Sequence, residues 1–427
     1  VVPPVVVAPD PATTLDTSPR LLLIAPHSSY RISPYLDAAQ RLGVKVLVAS
    51  TSEHSLVSAV AEGLRIDLDD PDAALVRLLA EAERQAFVGV VGTDDSAVAL
   101  TARVAEALGL PHNPPQAAQL TQRKDLARAR LTRNGLPAPW HQRVDLQGDL
   151  DTQAARLDYP CVIKPLSLSG SRGVIRANNA EEFISAAQRV RNIIAEQSDV
   201  ELRRYALVEA YLPGTEVAVE GMLDNGQFQL LAIFDKPEPL EGPYFEESYY
   251  ITPSRLPTET QNLIAQCTRE ACAAYGLQQG PVHAELRLHD NEAWILEVAA
   301  RTIGGQCARL LRYGTGHDLE TLVIAQAVGK TLPHKKTDEA AGVLMIPIPR
   351  GGILRRVEGL GAARRVPGVV DIEISVREGY ELIPLPEGAA YLGFIFAQAA
   401  SPTAVEQALR EAHNHLNIVT APLWKLA

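Results

Sequence analysis

Cysteine is scarce, with only Cys161, Cys267, Cys272 and Cys307 in a chain of 427 residues. None stands at paired metal-ligand spacing, and so few in so long a chain make no disulfide framework. A reducing, cytoplasmic location is expected. Basic charge is short as well: 40 Lys and Arg stand against 51 Asp and Glu, a formal net charge of −11. That balance excludes a nucleic acid or an anionic membrane recognised through bulk electrostatics. An anionic ligand must instead be met by local Lys, Arg, backbone N–H groups or metal. No apolar run approaches the roughly 18 residues of a membrane span, and the start lacks a basic region followed by a hydrophobic stretch and a cleavage site. The chain is expected to be neither exported nor inserted. The motif G-x-x-x-x-G-K-[ST] occurs nowhere, and the first strand-to-helix turn, APHSSYRISP, has no glycine. These absences exclude a Walker A loop and an NAD site at that turn.

What is present is an ordinary globular composition, 46% hydrophobic and 21% charged, with ample apolar surface to bury. At roughly 100 to 200 residues per domain the length calls for two to four units, and three can be read. Residues 1–19 are proline-rich and read as an extended tail. Over 20–115 strands at 21–26, 44–50 and 87–92 alternate with helices at 34–42, 71–85 and 95–108. That alternation implies right-handed crossovers and a parallel, Rossmann-like sheet. The second unit, 116–330, opens with a helix at 116–134 and a small α+β module within 136–205. Strands then predominate, at 206–211, 216–223, 228–235, 283–289 and 293–299, with helices at 259–275 and 319–328. Residues 331–427 read as a C-terminal α+β subdomain with one clear helix at 402–416.

Three segments carry chemistry. In YPCVIKPLSLSGSRGV (159–174) a strand delivers Lys164 into a loop of Ser167, Ser169, Gly170, Ser171 and Gly173. Glycines let backbone N–H groups approach phosphate oxygens, serines add hydroxyl donors and the lysine adds a point charge. An ordinary flexible loop beside a surface lysine would have the same composition. In YALVEAYLPGTEVAVE (205–220), Glu209 and Glu216 flank a Pro213-Gly214 turn. They suit an exocyclic amine and a pair of ribose hydroxyls, or else are two solvated carboxylates.

The third segment, HAELRLHDNEAWILEVAAR (283–301), reads as a hairpin through Asp290, Asn291 and Glu292. Centred on Asn291, it sets Glu285 opposite Glu297; closed by a two-residue turn, it sends Glu297 to the other face. Carboxylates facing one another at ~5 Å repel, and either a divalent cation or a shared proton relieves them. With no Cys or paired His nearby, oxygen ligands favour Mg²⁺ or Mn²⁺ over zinc. Arg301, four residues past Glu297, enters the same site as a clamp for a phosphoryl group.

In this order and spacing the three segments resemble the ATP-grasp superfamily, specifically carboxylate–amine ligases with a biotin-carboxylase-like layout. They look most like bacterial L-amino acid ligases, which make dipeptides, and the resemblance covers nearly the whole chain from about Arg20. It implies an α/β and α+β fold: a Rossmann-like N-terminal domain, an ATP-grasp domain at 116–330 with its lid at 136–205 and an antiparallel-sheet core, and a C-terminal α+β subdomain. The implied cofactors are ATP and one or two Mg²⁺ (or Mn²⁺) ions.

Carried over residue by residue, the resemblance makes Lys124, in TQRKDLARARL, the first phosphate-contacting lysine and Lys164 the second. Ser169, Gly170, Ser171, Arg172 and Gly173 become a mobile loop over the phosphates. Glu209 and the backbone of Ala210 and Leu212 hold adenine, and Glu216 the ribose. Glu285 and Glu297 bridge the metal ions, Arg301 contacts the transferred phosphoryl group, and Gly304-Gly305 offer backbone donors to a carboxylate or acyl phosphate. The pattern departs at one place: many relatives read E-x-N-x-R, and here Ala299 replaces the Asn ligand. In FDKPEPLEGPYFEESYYITP (234–253), Lys236, Tyr244, Phe245 and Tyr249 are the candidates for substrate contact.

The expected activity joins a small-molecule carboxylate, an amino acid, to an amine through an acyl phosphate. No nucleic acid or membrane partner is expected, and a homodimer is the base-rate assembly. Two rivals stand beside it. A bicarbonate- or formate-activating enzyme of biotin-carboxylase or purine-pathway type lacks support from any biotin-acceptor lysine motif. A non-catalytic nucleotide-binding regulatory module is favoured by Ala299 alone.

Overall fold

The computed structural model describes residues 18–51, 61–333 and 339–423. Residues 1–17 of the expected tail lie outside the described residues. The first strand is Arg20–Ile24, and Leu21 through Ile24 are fully buried. A continuous apolar run of this kind belongs to a strand covered on both faces. Leu21 and Leu23 join a core with Ala38, Val343 and Phe396, while Leu22 and Ile24 join another with Leu78, Leu100 and Val104. Strands Lys45–Ser50, Glu62–Arg65 and Gly89–Gly92 complete a parallel sheet in the spatial order third, second, first, fourth. Helices Ile32–Arg41, Pro71–Arg84 and Asp95–Ala107 accompany it.

The single helix expected over 116–134 is two helices, Pro115–Leu120 and Lys124–Arg133. Arg123 between them is extended, at φ −124° and ψ 96°. The Lys124 N–H donates to the carbonyl of Leu166 at 2.9 Å. The break exchanges a turn of helical bonding for a tie to the next sheet, and it places Lys124 at the head of a helix.

That next sheet is a small antiparallel lid, in the order His141–Asp145, Tyr205–Ala210, Cys161–Pro165, Ile175–Ala177. Helix Ala180–Ile193 buries Phe183, Ala186, Ala187 and Val190 against it.

The central sheet has eight antiparallel strands, in the order Glu292–Ala299, Gly280–His289, Thr215–Asp224, Gln227–Asp235, Tyr249–Thr252, Ala340–Ile346, Gly393–Ala399, Val369–Ile374. Its alternation sorts the side chains. Val217, Val219, Ala284 and Leu286 pack against the helix Thr258–Tyr275, with its Ile264, Cys267, Ala271 and Tyr275. The residues between them, Glu216, Ala218, Glu220, His283, Glu285 and Arg287, therefore share the opposite face. The region read as a C-terminal subdomain divides: three of its strands extend this sheet, while Gly352–Glu358, Glu381–Leu382 and Asn417–Ala421 form a small sheet of their own.

Candidate active site

A cavity of about 190 Å³ lies between the lid and the polar face of the central sheet. Its floor depends on one irregularity. The hairpin closes on two residues, Asp290 and Asn291, both at positive φ (51° and 62°), as a tight turn matched to strand twist requires. That turn pairs Leu286 with Ile295. A bulge then leaves Leu296 without a partner, and Glu285 pairs with Glu297. Both registers open to the sequence are present, one on each side of the bulge.

Pairing across the neighbouring strands builds the floor. His283 lies opposite Glu220, Glu285 opposite Ala218, and Arg287 opposite Glu216. Small Ala218 leaves room across from Glu285, and the two basic side chains meet acids. His283 Nδ1 lies 2.6 Å from Glu220, and its Nε2 lies 3.5 Å from Glu285. Burial opposes protonation of His283, but Glu220 and then Glu285 outweigh it and raise the imidazole to about 9. Arg287 Nε donates to Glu216 at 3.0 Å and its Nη1 to the Leu212 carbonyl at 2.6 Å.

Beside them the Lys236 ammonium lies 2.8 Å from Glu216, 2.7 Å from Glu247 and 3.3 Å from Glu285. Tyr250 Oη donates to Glu247 at 2.6 Å. Burial, and next the charge of Glu285, raise the Glu247 carboxyl to about 7. Glu285 itself is pushed down: burial resists, but Lys236 and His283 prevail. Oxygens of Glu216, Glu247 and Glu285 lie within 4.8 Å of one another, an all-carboxylate set whose chemistry fits a hard divalent ion.

The walls come from the lid, from the helix Lys124–Arg133 and from the segment after Glu292–Ala299. Lys164, at the end of Cys161–Pro165, lies 2.5 Å from Glu209, and Arg128 Nε donates to the same carboxylate at 2.5 Å. Burial works against ionisation of Glu209, yet Arg128 and Lys164 hold it down at about 2. Lys124 Nζ lies 3.0 Å from Glu297 and donates to the Leu168 carbonyl at 2.8 Å. Arg301 is held by Asp95 of the opening domain through two bonds of 2.9 and 3.0 Å. Burial lowers the Arg301 pKa, but Asp95 overcomes it and keeps the guanidinium charged.

Of the residues singled out from sequence, Lys124, Lys164, Ser169, Gly170, Ser171, Glu209, Ala210, Leu212, Glu216, Phe245, Glu285, Glu297, Arg301, Gly304 and Gly305 all line this cavity. Gly305 has φ 60°, and a Cβ there would fall 2.1 Å from Met345 Sδ. Gly173, Lys236, Tyr244 and Tyr249 are not in the lining. The Gly173 N–H donates to the Pro386 carbonyl and Arg172 Nε to that of Glu387, each at 2.9 Å. The loop expected to be mobile is thus tied to the C-terminal region. Lys236 is buried beneath the lining among its three carboxylates. Tyr244 lies on the lid, where its hydroxyl accepts from Arg189. Tyr249 is one residue out of phase: it points into the C-terminal core with Ile251, under Arg410, and Tyr250 faces the cavity.

Sequence reading missed Glu247, Tyr250, His283, Arg287, Arg128 and Asp95. Period-two spacing from Glu285 would have found His283 and Arg287. Arg128 and Asp95 had no local signal.

A lid closing on a polar antiparallel sheet, with lysines on one wall and carboxylates on the floor, is the layout of an ATP-grasp fold. Known proteins agree. The ATP-grasp N-terminal domain model matches residues 36–112, the ATP-grasp domain model residues 157–309, and the L-amino acid ligase C-terminal domain 2 model residues 344–421. The crystal structure of an L-amino acid ligase from Bacillus licheniformis superposes with a TM-score of 0.82 at 28% identity, covering 95% of this chain and 99% of that one. Alanine–anticapsin ligase from Bacillus subtilis is 25% identical over 60% of this chain and 58% of its own length. Carnosine synthase 1 from Gallus gallus is 27% identical over 76% of this chain. The match spans 38% of that longer protein. The chain belongs to the ATP-grasp superfamily, among its carboxylate–amine ligases.

Proposed function

We propose that the protein joins an amino acid carboxylate to an amine through an acyl phosphate, with release of ADP and phosphate. The convergence of Lys124, Lys164, Arg301, Glu285 and Glu297 on one cavity carries this reading. Adenine would lie along Glu209 to Leu212, with Glu209 ordering that strand through Arg128 and Lys164. The ribose would approach Glu216. The triphosphate would run beneath Ser169–Ser171, where Lys124 and Lys164 offset its charge and Arg301, fixed by Asp95, faces the transferred group.

Glu285, Glu297 and Glu247 would hold one or two Mg²⁺ ions, and Glu247 offers an oxygen where Ala299 cannot. Such ions neutralise charge on the phosphoryl oxygens. The substrate carboxylate would attack the γ-phosphate in line, placed by the Gly304-Gly305 segment. The amine would then attack the acyl carbon while the docked lid keeps water out. Likeness to enzymes that make amide bonds supports an amino acid as the activated carboxylate.

The test is a screen of amino acid pairs for ATP-dependent phosphate release, with mass spectrometry of the products. Release that depends on both partners, with a product lighter than their sum by one water, supports the reading. Equal release with bicarbonate or formate alone would sink it.

A further inference from the structure

Every glutamate that the proposed reaction gives to a metal ion already has a lysine beside it. Lys236, with its side chain 3% exposed, is within 3.3 Å of Glu216, Glu247 and Glu285. Those three carboxylates are spaced for one small cation, and the cation among them is an ammonium. The Lys236 pairs are short and buried, so they are screened far less than surface ion pairs. On the adjacent strand, opposite Glu285, Glu297 is paired with Lys124 at 3.0 Å. Lys124 also holds the Leu168 carbonyl, immediately before the Ser169–Ser171 turn. A divalent ion entering this floor alone would meet carboxylates already paired with Lys236, Arg287, His283 and Lys124, together with the repulsion of those fixed basic groups.

We propose that Lys236 and Lys124 are resident cations that close the carboxylate floor to free divalent ions, so that metal binds only together with the negative charge of the nucleotide phosphates. This rests on the metal and nucleotide reading given above. The nucleotide brings anionic oxygens for Lys124 and further ligands for the metal, and the charge balance that excluded the ion then favours it. Lys236 reaches all three carboxylates, whereas Arg287 reaches Glu216 and His283 reaches Glu285, so Lys236 sits where the metal would.

The test is titration of the full-length, nucleotide-free protein with Mn²⁺ alone, followed by electron paramagnetic resonance, then repeated with a non-hydrolysable ATP analogue. Wild type should bind Mn²⁺ weakly alone and tightly with the analogue. Lys236→Met should bind Mn²⁺ alone roughly tenfold tighter or more, since loss of a like charge from a desolvated site favours the cation. Lys236→Arg, which keeps the charge, should behave as wild type. If Lys236→Met does not fold, as judged by circular dichroism, Lys124→Met carries the test with the same expected gain at Glu297. Tight nucleotide-free binding by wild type, or no gain in the folded Met variant, overturns the proposal. Glu285→Gln separates the two levels: if it keeps wild-type Mn²⁺ affinity in the presence of the analogue, the underlying metal reading is wrong. If it loses that affinity while Lys236→Met shows no gain, only the resident-cation proposal fails.

Discussion

Arg128 donates through Nη2, at 2.6 Å, to the carbonyl of Leu296, the residue that breaks the register of the hairpin. A bulge turns backbone groups out of the ladder, and a partly buried carbonyl left so gains from a donor. Arg128 supplies it, bonds the adjacent Ile295 carbonyl at 2.8 Å, and holds Glu209 with the rest of its fork. One guanidinium thus ties the helix Lys124–Arg133 to the lid and to the strand that presents Glu297. Replacing Arg128 by Met should cost about 3–5 kcal/mol, the range for removing one partner of a buried ion pair. Chemical denaturation would measure it. Arg128→Lys should recover only part of the loss, because an ammonium cannot span three acceptors in the plane of a fork. Wild-type stability in the Met variant would show that the bulge does not need the arginine.

Much of this was legible in the sequence, and the limits have physical causes. Local composition was enough for three of the four opening strands, the Lys164 loop and the position of the hairpin, because each depends on neighbours in the chain; the edge strand Glu62–Arg65 gave no such signal. The register was not legible, since Asp290-Asn291 favours one pairing and Glu285–Glu297 another. The bulge that reconciles them is held by Arg128, 167 and 168 residues away from its two carbonyl partners. Tyr249 was read for Tyr250 because a short strand does not announce which phase of its alternation faces the cavity. Lys236 looked like a substrate contact because only the sheet order brings Glu216 and Glu285 to it.

Lys164 should be needed for nucleotide affinity and turnover together. It ends a buried strand beside Glu209, where burial lowers its pKa and Glu209 opposes the shift. Lys164→Met should weaken ATP binding by about ten- to a hundredfold, as expected for loss of one hydrogen bond to a charged group. Calorimetric titration would read it. An unchanged dissociation constant would remove Lys164 from the phosphate path.

Glu216→Ala should raise the KM for ATP and spare kcat at saturation, because a ribose contact is made equally in ground and transition states. It should also lower the melting temperature, since Lys236 and Arg287 would each lose a buried partner. Steady-state kinetics with a parallel melt tests both parts. A fall in kcat with KM unchanged would move Glu216 from the ribose to the reacting phosphate.

His283 gives the nucleotide-free protein a pH dependence of known sign. Its pKa rises from 6.5 to about 9 on folding, with burial opposing and Glu220 driving the shift. The folded state therefore binds the proton more tightly, and the contribution is fully present below the unfolded pKa, 6.5. It is lost as pH climbs through about 9. Its size is on the order of 2–3 kcal/mol from the linkage relation. The stability difference between wild type and His283→Gln should shrink over that window. A difference that stays constant from pH 6 to 9.5 would mean the imidazole is neutral in the fold.

Glu285→Gln and Glu297→Gln should each abolish phosphate release, while the nucleotide-free protein stays nearly as stable as wild type in Glu297→Gln and loses some stability in Glu285→Gln. Glu297 is a quarter exposed and is paired with Lys124, and partly exposed pairs of this kind contribute about 1 kcal/mol or less. Glu285 is the most distant of the three carboxylates around Lys236. Taking its charge away also relieves Glu247, whose raised pKa owes its second largest part to Glu285. The net downward shift of Glu285 means that loss of its pairs with Lys236 and His283 outweighs that relief, so Glu285→Gln should be the less stable of the two variants. Mg-ATP sets wild type apart from both, because a ligand that binds only the folded state stabilises it by about 2.7 kcal/mol at a hundred times its dissociation constant. Wild type should show that gain in thermal melts, and both variants much less of it. If either variant keeps full phosphate release together with the full Mg-ATP shift, that glutamate holds no metal, and the bulge that turns Glu297 toward Glu285 serves the sheet alone.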